Sequence, residues 1–175
     1  MMPLWHYAVK VYAIPGVKEA LLKLQDRYHF DVNAVLWCLW CARYGFTFGE
    51  DEVAEILGTT DDMTRHTTRP LRTVRVWLAS PKVGFPAGEI RRLRDQVLQL
   101  ELMSEELVLR RLDDATMALG EPNETLDDMA TRSEQLFTLA RKHVDMPTMI
   151  ADEDGPGSPL GLFRQAREQA QERGP

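Results

Sequence analysis

The sequence predicts an all-α protein: a single helical-bundle domain of five to seven helices around a buried central helix, followed by a flexible C-terminal tail. Three observations carry this expectation. Apolar residues recur at helical spacing along most of the chain and almost nowhere alternate as in a strand. Residues 34–42 are apolar on every side, the pattern of a helix that others pack around. Proline and glycine fall between the periodic segments, where helices must stop. At 175 residues, one core buries roughly two-thirds of the unfolded surface and needs no staples. Hydrophobic and charged contents of 44% and 27% exclude wholesale disorder and collagen-like or disulfide-dense classes.

The first helix follows Pro3, aligns Leu4, Ala8 and Val11, and ends at Pro15-Gly16. A second carries Val17, Leu21, Leu24 and Tyr28 and stops near His29. Asp31 then occupies an N-cap position and Gly45 a C′ position, framing the central helix Val32–Tyr44. After a turn at residues 46–49, Glu50–Leu57 reads as a short acidic helix, and residues 60–62 start another that runs to about Ala79. Pro70 lies inside it. Proline lacks an amide hydrogen and crowds the carbonyl four residues back, so this helix should kink, or be two helices meeting at residues 68–70.

Residues 80–87 form the clearest interior loop, and Gly88–Leu119 reads as one long helix of about nine turns. Ile90, Leu93, Val97, Leu100 and Leu107 make one stripe of it, and Leu98, Leu102, Leu109 and Leu112 a second. Two apolar sides mean a fully packed bundle helix or a homodimer seam; Ser104 and Arg111 interrupt the heptad. Thr125–Val144 is the last amphipathic helix. The domain therefore spans residues 1–145, and residues 146–175 are a flexible linker and tail. The linker is Ala151–Pro159, and residues 160–173 form at most a marginal lone helix.

Several motifs bear on chemistry. Trp37-Cys38-Leu39-Trp40-Cys41 mimics a redox CxxC, but Asp31 caps the helix seven residues earlier, so Cys38 lies inside an apolar helix rather than at its amide-rich end. The two cysteines read as small core residues. No pattern completes a zinc site, and no phosphate-loop, dinucleotide or nucleophile-elbow signature occurs, so no metal, cofactor or catalytic residue is expected. Asp26, His29 and Asn33 gather at the reversal before the central helix, and Asn33 shares a face with Trp37 and Trp40. These five residues are a candidate pocket for a small enzyme or ligand-binding protein. The competing reading spends the polar ones on helix ends and the aromatic ones on core.

The charge distribution is the most informative feature. Net charge is −6, yet residues 65–94 hold eight basic side chains against Glu89 alone. At 100° per residue, Arg65, Arg69 and Arg72 share one side, with Arg75 a turn further on, while Met63, Thr67, Leu71, Val74 and Leu78 fall opposite. This predicts an outward arginine face for an acidic protein or anionic ligand, and so a non-enzymatic interaction or regulatory module. The alternative is a solvated face neutralised by Asp61, Asp62 or the acidic helix before them. A DNA-binding helix-turn-helix at residues 50–77 is less favoured, because its first helix is acidic and Pro70 interrupts the second. The N-terminal stretch lacks the layout of a signal peptide, and the longest uncharged apolar run, Val32–Ala42, falls short of the ~20 residues that span a bilayer, so a cytoplasmic location away from membranes is expected.

Leu4-Trp5, Tyr12, Pro15-Gly16-Val17, Leu24-Gln25-Asp26, Asp31-Val32-Asn33, Cys38-Leu39-Trp40 and Arg69-Pro70-Leu71-Arg72 stand in an order that resembles a proteobacterial family of conserved hypothetical proteins, a domain of unknown function. The resemblance covers about residues 3–110. It implies a small, helical, cytosolic protein and brings no activity with it.

Overall fold

A computed structural model describes residues 1–123, 128–143, 155 and 157–173. In chain order the elements are α1 (Leu4–Tyr12), α2 (Val17–Tyr28), α3 (Val32–Arg43), α4 (Glu50–Gly58), α5 (Asp61–Met63), a π turn (Thr64–Thr68), α6 (Arg69–Trp77), α7 (Ala87–Leu119), α8 (Met129–His143) and α9 (Pro159–Arg173). Counting α5, the π turn and α6 as one rod, seven helices precede residue 145 among the described residues, and α9 is the eighth. The fold is all-α, with no strand among the described residues.

α3 is the centre, as its uniform apolarity requires. Every residue from Val32 to Ala42 is buried, and α1, α2, α7 and α8 pack around it. Both of its ends follow from local chemistry. The Asp31 carboxylate accepts a hydrogen bond from the Asn33 amide at 2.8 Å, satisfying one orphan donor of the first turn. At the other end Gly45 turns the chain at φ 78°, and Phe46 N–H returns to the Cys41 carbonyl at 2.9 Å, which plants the Phe46 ring in the core. Trp37 Nε1 donates to Thr116 Oγ1 of α7, and Trp40 Nε1 to the Met2 carbonyl, each at 2.8 Å. Both indoles are thus fully buried with their one donor used.

The break expected at Pro70 takes the form of a π turn. Arg69 N–H donates to the Thr64 carbonyl five residues back, which widens the helix just where the proline ring needs room. The extra residue in that turn rotates everything after it by about 100°. Arg72 and Arg75 therefore face α7 instead of solvent, while Val74, expected inside, is exposed.

α9 also departs from expectation. It packs along α2 and against α8, burying Leu162, Phe163 and Ala166. Phe163 stacks on Phe137 of α8 at 4.2 Å between ring centroids, and Phe137 on Phe30 at 5.0 Å. Arg164 and Arg167 both donate to the Glu134 carboxylate of α8. The periodicity of a short helix does not show that a neighbour will bury it, which is why 160–173 read as a lone helix. Pro159 is the first residue of α9, while residues 151–154 and 156 of the expected linker lie outside the described residues, as do Thr125 and Val144.

Candidate functional site

A cavity of about 840 Å³ lies between α1, α2, α3, α6 and α7. Its walls are mostly apolar: Trp5, Ala8 and Val9 from α1, Leu36 from α3, and Leu98 and Leu102 from α7. Its polar lining is Arg72, Arg75, Glu101 and Glu105, Asn33 from α3, and also Lys18, Gln25, Gln99 and Glu106. The volume falls within the range of cavities that bind small molecules.

The charged end is built on α7. Glu101 lies on the same inward side as Val97, Ser104 and Val108, and only 3% of it is exposed. A carboxylate there requires cations, and α6 supplies two. Arg72 Nε donates to Glu101 Oε1 at 3.0 Å and its Nη2 to Glu105 Oε1 at 2.5 Å. Arg75 holds both Glu101 oxygens, through Nε to Oε2 and through Nη2 to Oε1 at 3.1 Å. Nη1 of each guanidinium makes no hydrogen bond among the described residues.

The two carboxylates are driven apart electrostatically. Burial pushes Glu101 up, but the hydrogen bonds from Arg75 and Arg72 outweigh it and hold the group below the usual carboxylate range. Burial pushes Glu105 up as well, and there the pull of Arg72 falls short, so its carboxyl is raised. The nearby Tyr12 phenol is raised by burial and then by Glu105. Two guanidinium groups thus share two carboxylates, Glu101 held down by its hydrogen bonds and Glu105 raised by its burial.

Of the five residues expected to line a pocket, Asn33 alone does so. Trp37 and Trp40 are core, committed to Thr116 and Met2. Asp26 and His29 are exposed; His29 ends α2 in the left-handed conformation at φ 58°, and its amide donates to the Gln25 carbonyl. Of the four arginines expected on one outward face, Arg72 and Arg75 are half-buried in the cavity wall, and Arg65 and Arg69 remain exposed. These two line a smaller pocket of about 110 Å³ with Thr64, Asp61 and His143. Tyr12, Glu101 and Glu105 escaped the sequence reading. One signal was available: Glu101 sits in register with Val97, Ser104 and Val108, so a carboxylate occupied a position that the pattern marked as inside.

Cys38 and Cys41 are free and fully buried, and burial pushes both thiols far above their ordinary range, as expected of core residues. Among the described residues, no group of three metal-ligating side chains occurs, and no helix is long and apolar enough to cross a membrane.

Fold and site together define an all-α protein with a solvent-open, mainly apolar cleft whose wall carries an arginine–glutamate cluster. Residues 3–112 match the model of a family described as a protein of unknown function, DUF2390, and the chain belongs to that family. No curated protein and no solved structure matches it. Every residue that lines the large cavity falls inside the matched region, whereas α8 and α9 lie beyond it.

Proposed function

We propose that the chain is a non-enzymatic binding protein for an amphipathic carboxylate, a molecule with a long apolar body and a single anionic head. The cavity carries this reading: apolar walls from three helices share it with two guanidinium groups whose Nη1 atoms make no hydrogen bond among the described residues. Planar guanidinium groups suit a carboxylate head, and Asn33 adds a neutral amide with both donor and acceptor. Isothermal titration of the chain with octanoate, decanoate, dodecanoate and dodecanol tests it. Affinity should rise about fourfold for each methylene that enters the cavity, and dodecanol should bind more weakly than dodecanoate. Leu102→Trp, which fills the cavity without touching the charges, should weaken every carboxylate. Equal binding of the alcohol, or binding unaffected by Leu102→Trp, contradicts the reading.

A second, narrower reading keeps part of the arginine face. Arg65 and Arg69 are exposed and make no ion pair among the described residues, beside a buried Thr64 hydroxyl without a partner. This supports a small anion-facing patch on an interaction module. Arg65→Glu with Arg69→Glu should then abolish recovery of an acidic partner while leaving carboxylate binding in the cavity intact.

A further inference from the structure

The end of the α6–α7 hairpin contributes almost nothing to the core. From Thr73 to Gln96, Leu78 is the one buried residue. Trp77 is 62% exposed, Phe85 67% and Val83 100%. Local chemistry explains where Val83 sits. Phe85 N–H donates to the Lys82 carbonyl at 3.2 Å and Gly84 lies at φ 84°, so residues 82–85 form a β-turn that needs glycine at its third position and carries Val83 at its second. Exposed turns are ordinarily built from small polar residues. This one is flanked by Pro81 and Pro86 and presents valine and phenylalanine. The Lys82 ammonium lies 3.9 Å from the centre of the Trp77 ring, which joins the indole and the turn into one patch.

Charge separates this end from the rest of the molecule. Residues 73–96 hold Arg75, Lys82, Arg91, Arg92 and Arg94 against Glu89 and Asp95, a net +3 in a chain of net −6. Arg75 is spent on Glu101, and Arg94 lies 3.9 Å from Asp95. That leaves Lys82, Arg91 and Arg92 against Glu89, and none of the four makes an ion pair among the described residues. An anionic surface therefore attracts the tip and repels the acidic remainder, which sets an orientation.

We propose that the hairpin tip docks the chain on an anionic lipid surface, with Trp77, Val83 and Phe85 in the headgroup layer and Lys82, Arg91 and Arg92 against lipid phosphates. Arg91 and Arg92 follow the start of α7 by four and five residues, a rise of about 6–8 Å. With the hairpin pointed at a bilayer, insertion to the ~5–10 Å depth of interfacial segments sets these guanidinium groups at the phosphates. A protein partner is the poorer fit, because a standard interface takes about 800 Å² from each side, more than the end of one hairpin supplies. Tryptophan beside basic residues is also the composition of the membrane–water boundary. The sequence expectation of a location away from membranes rested on spanning length, and a tip that enters only the headgroup layer needs no spanning run.

Cosedimentation of the full chain with phosphatidylcholine vesicles containing about one-third phosphatidylglycerol tests the docking. Binding is expected, weaker on pure phosphatidylcholine and weaker at high salt. One basic charge near such a surface is worth about 1 kcal/mol, so Arg92→Gln should weaken binding about fivefold. Val83→Asp with Phe85→Asp should weaken it at least about tenfold with unchanged helical circular dichroism. A readout on the wild-type chain guards against misfolded variants: brominated phosphatidylcholine in the vesicles should quench Trp77, and Trp77→Phe should lose that quenching, since the other three tryptophans are buried or half-buried. None of the tip residues lines the large cavity, so Leu102→Trp should leave vesicle binding unchanged and the two readings stand or fall separately. A wild-type chain that stays in the supernatant, equal binding to pure phosphatidylcholine, binding that survives both aspartates, or binding lost with Leu102→Trp overturns the proposal. So does a tip that engages only another protein.

Discussion

Arg75 grips both carboxylate oxygens of Glu101, a side chain almost wholly buried on α7. This pair ties α6 to α7 and, with Arg72, forms part of the cavity wall. Removing one partner of a buried ion pair strands the other, and Glu101 has two. Glu101→Gln should therefore lower stability by about 2–4 kcal/mol in urea unfolding. Combined with Arg75→Gln, the loss should be smaller than the two single losses together, because both remove the same interaction. Strict additivity would show that the pair does not couple α6 to α7.

The opposite displacements of Glu101 and Glu105 give opposite pH signatures. Glu101 is held below its ordinary value of 4.5, so the unfolded chain binds its proton more tightly. Its stabilising contribution is complete above 4.5 and is lost as pH falls through the lower folded value. Glu105 is raised from 4.5, so its contribution is complete below 4.5 and is lost as pH rises through the higher folded value. Urea unfolding as a function of pH should show Glu101→Gln most harmful near neutrality and nearly harmless in acid. Glu105→Gln should be neutral or stabilising at pH 7. A loss at pH 7 as large as that of Glu101→Gln would show that Glu105 serves Arg72 as a fully ionised partner.

Helix identity and the central place of α3 were legible in the sequence because they depend on local signals: Asp31 and Gly45 at its ends and apolar residues on every side. What Arg72 and Arg75 face was not legible. One extra residue in the turn at Thr64–Thr68 shifts the phase of all that follows, and a helical wheel drawn with constant pitch cannot contain it. Pro70 announced that the helix must yield but not which way. Asn33 was found as a polar residue on an otherwise apolar helix, whereas Glu101 and Tyr12 join the site only through the tertiary packing of α6, α7 and α1.

The docking of α9 predicts that a single change near the C-terminus is felt by the whole domain. Phe163 is fully buried against Phe137, so Phe163→Ala should cost about 3–5 kcal/mol, measured by chemical or thermal unfolding. A loss below about 1 kcal/mol would show that the helix contributes little to the core.

Cys38 and Cys41 provide a chemical reading of the core. Their thiols are fully buried and shifted away from the thiolate, so an aromatic disulfide reagent should modify them only as fast as the chain opens. Reaction at the rate of a free thiol in native buffer would show that α3 is not enclosed.

The most direct test of the cavity as a binding site is nuclear magnetic resonance of the isotopically labelled chain titrated with decanoate. The Asn33 side-chain amide and the Arg72 and Arg75 Nε–H signals should shift together and saturate. Saturating shifts confined to residues that do not line the cavity, with those three signals unmoved, would contradict it.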